Sequence, residues 1–133
     1  MKRLFLIVLC IGLVVFVSAN ANAQVPKVTA KTLLRTTVSG DDAKQAFILS
    51  VEFPQGSKLP LHTHPGDEYT TILQGTLELV AEGRETRRVS AGEAYHCPAG
   101  LVHQTRNVGD TPVRAVTVFV VDKGEKVVQP VTK

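Results

Sequence analysis

The sequence predicts an all-β fold, a sandwich or barrel of short strands with no substantial helix. Two observations carry this expectation. Apolar and polar residues alternate with period two in several segments, the spacing of half-buried strands. Glycine and proline also recur at close intervals, at Pro54, Gly56, Pro60, Pro65, Gly66, Gly75, Gly83, Gly92, Pro98, Gly100, Gly109 and Pro112. That punctuation leaves little room for a helix of about ten residues or more. Many short strands joined by regular turns argue for two packed sheets or a closed barrel.

The first segment in chain order reads as one that is removed. Lys2 and Arg3 precede an apolar run from Leu4 to Val17, and Ala21-Asn22-Ala23 has the small-residue pattern of a signal-peptide cleavage site. Residues 1–23 are therefore expected to be a secretory signal peptide, with the mature chain beginning at Gln24 and destined for the periplasm or for secretion. An uncleaved membrane anchor is disfavoured, because the run has 14 residues and spanning a bilayer takes about 20. A lipoprotein is disfavoured too, since Cys10 follows Leu9 where a small residue is needed.

Residues 24–133 then form one domain, with a barrel core over about 45–122. Without Lys2 and Arg3, 13 basic residues face 12 acidic ones, so the basic character of the full chain implies no acidic partner. Arg84, Arg87 and Arg88 read as a solvated hairpin rather than a nucleic-acid footprint. Cys97 is the single cysteine left, which excludes an intramolecular disulfide in the mature chain.

Phe47, Leu49, Val51 and Phe53 share one face of a strand expected over 44–53. Tyr69–Leu73 and Thr76–Val80 are rich in β-branched residues and are separated by Gln74-Gly75. Ala81–Glu85 is turn-like, and Thr86–Val89 is expected to return antiparallel. Val113–Val121 is apolar on both faces, which places it centrally or on an oligomer surface. Gln24–Lys27 and Gln129–Lys133 are expected to be loose ends, or arms that add strands to a partner.

The chemistry-bearing residues cluster. His62 and His64 are two apart, so on a strand they project from one face. Pro65-Gly66-Asp67 permits a bend, after which Glu68 shares a face with Thr70 and Ile72. Two imidazoles and a carboxylate form a donor set suited to a divalent metal with open positions. Pro98-Ala99-Gly100 makes a tight turn ahead of His103, a fourth candidate ligand. A lone H-x-H is more often packed or solvated than ligating, and spacing alone leaves that reading open. His96 is expected to be exposed or to line a pocket. Cys97 reads mainly as a small buried hydrophobe, with a thiol near the metal as the alternative. Tyr69 and Tyr95 are candidates to orient a substrate or to be ordinary packing.

Two spaced patterns carry a resemblance. Gly56-x5-His62-x-His64-x3-Glu68-x6-Gly75 resembles the first motif of the cupin superfamily, and Gly92-x5-Pro98-x-Gly100-x2-His103-x3-Asn107 resembles the second. The resemblance implies a double-stranded β-helix, or jelly-roll barrel, often dimeric. It implies one divalent metal ion (iron, manganese, copper, nickel, zinc or cobalt) held by His62, His64, Glu68 and His103. It assigns no cofactor beyond the metal and no catalytic residue. Cupins share one scaffold across many chemistries, so three functions remain open: an enzyme acting on a small organic molecule, in the manner of quercetinase-like dioxygenases; a non-catalytic small-ligand or metal-binding protein; or a metal-dependent isomerase or decarboxylase. The expected partners are a small molecule and a second copy of the chain, with neither nucleic acid nor, after cleavage, membrane.

Overall fold

The computed structural model describes residues 24–132, and the expected signal peptide lies outside them. Ten strands follow in order: β1 Thr29–Val38, β2 Asp41–Phe53, β3 Lys58–Thr63, β4 Asp67–Gln74, β5 Thr76–Ala81, β6 Arg87–Ser90, β7 Ala94–Cys97, β8 His103–Arg106, β9 Val113–Asp122 and β10 Gln129–Pro130. The described residues contain no helix. The strands form two five-stranded sheets, β1-β2-β9-β4-β7 and β10-β3-β8-β5-β6, and pair antiparallel throughout. The fold is a double-stranded β-helix, or jelly roll.

The long central strands set the frame. β2 and β9 pair from Lys44↔Asp122 to Phe53↔Val113 without a register shift. On β9, Val113, Ala115, Phe119 and Val121 are buried, while Val116, Val118 and Val120 on the opposite face are half-buried. The strand apolar on both faces is thus central in its sheet. Val51 and Phe53 of β2 meet Leu77 and Leu79 of β5 and Val89 of β6 in one core. Removing that apolar surface from water stabilises the fold by roughly 25 cal/mol per Å².

The chain crosses from one sheet to the other at Gly75, between β4 and β5. Its φ of 78° lies in the left-handed region, and a Cβ there would come within 2.8 Å of the Val113 side chain. Gly66 serves the opposite crossing, from β3 to β4. A Cβ on it would lie 1.9 Å from the Val120 carbonyl oxygen, so only glycine lets this bend pass so close to β9.

Two features depart from expectation. β1 is exposed over nearly its whole length and so shows no alternation to read. The chain end is an ordered edge rather than a loose arm: Gln129 and Pro130 pair with Thr63 and His62, and the Val131 amide donates to the Leu61 carbonyl at 3.1 Å. Pro130 lacks an N–H, which an outermost strand tolerates.

Candidate metal centre

Three strands and their flanks converge on the cavity between the sheets. His62 is on β3, His64 sits one residue beyond its end, Glu68 is the second residue of β4, and His103 opens β8. His62 and His103 are cross-strand partners, and Glu68 faces Phe119 on one side and Cys97 on the other. All four candidate ligands are buried, between 1% and 5% exposed. Their rings pack closely, with centroids 4.3 Å apart for His62 and His103, 4.8 Å for His62 and His64, and 5.0 Å for His64 and His103.

Each imidazole is anchored through Nδ1. That atom lies 2.7 Å from the Pro60 carbonyl in His62, 2.6 Å from Val127 in His64, and 2.9 Å from Leu101 in His103. A carbonyl only accepts, so Nδ1 carries the proton and Nε2 of each neutral ring keeps a lone pair. Such outer hydrogen bonds orient metal-ligating histidines and raise their basicity. The ligand atoms of His62, His64 and His103 lie within 4.8 Å of one another.

Glu68 completes the donor set. Its Oε1 accepts from Thr70 at 2.7 Å and from Tyr95 at 2.9 Å. Its Oε2 lies 3.1 Å from Nε2 of both His64 and His103. Against His64 this brings two acceptors face to face, and His64 Nε2 is buried without a hydrogen-bond donor. A cation between them resolves the mismatch, so the residues present fit a divalent metal: three nitrogens and one carboxylate oxygen, all inward and otherwise engaged on their far sides.

The metal-free cluster handles its charge unevenly. Burial pulls the His62 imidazole down to about 4, against a partly opposing hydrogen bond to Pro60. Burial also disfavours charge on His103, but hydrogen bonds to Cys97 and Glu68 outweigh it and push this imidazole up to about 10. Burial opposes ionisation of Glu68, yet the His103 and His64 imidazoles beside its Oε2 hold the carboxyl well below the usual carboxylate range. His103 and Glu68 therefore form a buried imidazolium–carboxylate pair when no metal is present. Burial, chiefly, raises the Tyr95 hydroxyl well above its ordinary value, so it stays a donor.

All four candidate ligands line a cavity of about 130 Å³, whose remaining wall is largely apolar and includes Leu49, Val51, Phe53, Leu59 and Phe119. The other residues singled out in the sequence separate around it. Tyr95 points inward and lines the cavity. Tyr69 and His96 lie on the outer face of the sheet, stacked at 4.8 Å, and touch neither the cavity nor the candidate ligands. Cys97 is fully buried, part of the apolar core cluster, and its sulfur and the ligand atoms of Glu68 and His103 lie within 4.8 Å of one another. Three contributors were not anticipated: Thr70, Thr117 and the Val127 carbonyl. Thr70 was legible, since it shares a strand face with Glu68. Val127 was not, because nothing in the sequence marks a loop carbonyl 63 residues from its histidine.

The fold and the site define a jelly-roll protein with a buried donor cage that could hold a metal ion. The sequence matches the Cupin domain family over residues 49–119, and the chain belongs to that family. It is similar to germin-like protein 5-1 of rice, 36% identical over 74 residues covering 52% of this chain and 34% of that protein. It is similar also to dimethylsulfoniopropionate lyase DddQ of Ruegeria pomeroyi, 35% identical over 78 residues, 59% of this chain and 37% of the relative. The chain thus spans about a third of the length of these curated relatives. The crystal structure of DddQ superposes with a TM-score of 0.60 at 29% identity, covering 74% of this chain and 49% of that one. A double-stranded β-helix protein from Klebsiella pneumoniae superposes at 0.63 over 79% of this chain and 86% of the other, at 19% identity, a likeness of fold alone.

Proposed function

We propose that this protein is an exported metalloenzyme acting on a compact organic molecule at a centre formed by His62, His64, Glu68 and His103. The observation that supports this most is the direction of the donor set: all four candidate ligands line an apolar cavity instead of facing the core. When bound, a divalent ion there would supply Lewis acidity toward a substrate oxygen, or, if redox-active, a route for electrons to dioxygen. The chain's own residues do the remaining work. Thr70 and Tyr95 hold Glu68 by one oxygen and leave the other turned toward the His64 and His103 imidazoles. Leu49, Val51, Phe53 and Leu59 shield the centre from water and shape the substrate's seat.

The size of the cavity narrows the substrate. About 130 Å³ is close to the engineered cavity of about 150 Å³ that holds one benzene molecule. This favours a compact substrate over a multi-ring flavonol of the kind quercetinase-like dioxygenases take. The name of the DddQ relative, a lyase for a propionate-bearing compound, supports a small organic acid. The reading extends to a homodimer: Leu34, Ile48 and Val118 form one cross-strand apolar row on the outer face of the first sheet.

The test is turnover by the metal-loaded mature chain, with and without oxygen, on compact carboxylic and oxo acids and on flavonols. Oxygen consumption with product supports an oxidative enzyme. Anaerobic product formation supports isomerase, lyase or decarboxylase chemistry. Tight ligand binding without any product overturns the enzyme reading in favour of a binding protein.

A further inference from the structure

We infer that Thr105 is a ligand-recognition residue, and that the cavity takes a compact monoanion with an apolar tail, such as a short branched or single-ring carboxylate. The inference rests on the proposed metal centre and adds the substrate class and the residue that selects it.

Thr105 follows His103 by two positions on β8, so both side chains point into the cavity. Its side chain is 2% exposed, and its hydroxyl has no hydrogen-bond partner. Three hydroxyl-bearing residues line the cavity, Tyr95, Thr105 and Thr117, and the other two are engaged. Tyr95 donates to Glu68 Oε1. Thr70 also donates to that oxygen, so the 2.7 Å contact between Thr70 and Thr117 must run from the Thr117 hydroxyl to the Thr70 oxygen. Both hydrogens thus end in the network on Glu68, and of the three cavity-lining hydroxyls only that of Thr105, buried, is left without a partner. Its cross-strand partners, Leu59 and Leu79, give it nothing polar. Valine fills nearly the same volume without a buried polar group to satisfy, so a threonine here is costly unless something in the cavity accepts its hydrogen.

Charge narrows what that acceptor is. No lysine or arginine lines the cavity. The donor set is three imidazoles, neutral when they ligate, and one carboxylate. A dication held by it leaves one positive charge uncompensated in an apolar enclosure, which is unfavourable. One negative charge on the ligand removes it. A second would be stranded, with no cationic side chain to meet it. A carboxylate has two acceptor oxygens, one for the centre and one for Thr105. The apolar wall and the volume of about 130 Å³ leave room for a tail no larger than about one ring.

The experiment uses the mature chain loaded with zinc, its zinc content verified by elemental analysis, and isothermal titration calorimetry. The probes are 2-methylpropanoate, its neutral amide, the dianion succinate, and azide, a compact anion that needs no second donor. The expected result is binding of 2-methylpropanoate at least about tenfold tighter than of the amide or succinate. Thr105→Val is expected to weaken 2-methylpropanoate by about tenfold and to leave azide unchanged, with Thr105→Ser restoring the affinity. Metal-free Thr105→Val is expected to melt no lower than the parent, because it removes an unpartnered buried hydroxyl. Equal affinity for amide and carboxylate, an unaltered affinity in Thr105→Val, or a lower melting temperature in that variant overturns the inference while leaving the metal centre standing. Failure to retain zinc overturns the metal-centre reading and this inference with it.

Discussion

Each candidate ligand is set by what touches its far side. The Nδ1 hydrogen bonds to Pro60, Val127 and Leu101 choose the tautomer, and Thr70 with Tyr95 chooses which oxygen of Glu68 faces the imidazoles. The metal-free protein then has a defined pH response. His62 falls to about 4 in the fold from an ordinary 6.5, so its neutral form is favoured and stability is lost as pH drops from 6.5 toward 4. His103 rises from 6.5 to about 10, so its contribution is complete below 6.5 and is lost as pH climbs toward 10. The melting temperature of the metal-free protein is expected to peak near pH 6.5 and fall on both sides, as followed by circular dichroism. A melting temperature still rising at pH 9 would contradict the assignment. That the four candidate ligands come together was one open reading of residue parity and turn chemistry, and the two spaced motifs singled it out. Parity could not place Tyr69 and Tyr95, whose roles depend on which sheet face each strand presents: Tyr95 is inside, Tyr69 outside.

At the scale of elements, short strands do positional work out of proportion to their length. β8 carries His103 and Thr105 in four residues. The turn before it docks on the first motif, since the Gly100 amide donates to the His64 carbonyl at 2.9 Å. The segment around β10 returns to β3, lends the Val127 carbonyl to His64 and places Val128 on the cavity wall. Deleting residues 126–133 is expected to lower metal affinity by about ten- to a hundredfold, measured by competition with a chromophoric chelator. Unchanged affinity would show that the strap does not orient His64. The strands β2 and β9 were legible from their apolar faces, and β4 and β5 from β-branched runs separated by Gln74-Gly75. β1 was not, since solvent erases its alternation, nor was β10, whose two residues pair only through tertiary contact.

At the scale of the molecule, two antiparallel sheets enclose a small apolar chamber, and the sites of both motifs meet at one end of it. Gly75 and Gly66 make the crossings between sheets that bring those motifs together. The fold class was legible from strand alternation and turn spacing, and its particular topology came from the two motifs. The reaction was not, because one barrel serves many chemistries and the substrate is read by side chains such as Thr105 that belong to no motif. A metal that binds only the folded chain adds stability by mass action, about 2.7 kcal/mol at a free concentration of 100 times Kd, on the order of 10 °C for a domain of this size. The most direct test of the centre is elemental analysis of the purified mature chain beside His62→Ala and His103→Ala. One divalent ion per parent chain, lost or strongly depleted in both variants, is the expected result; full occupancy in both would contradict the centre.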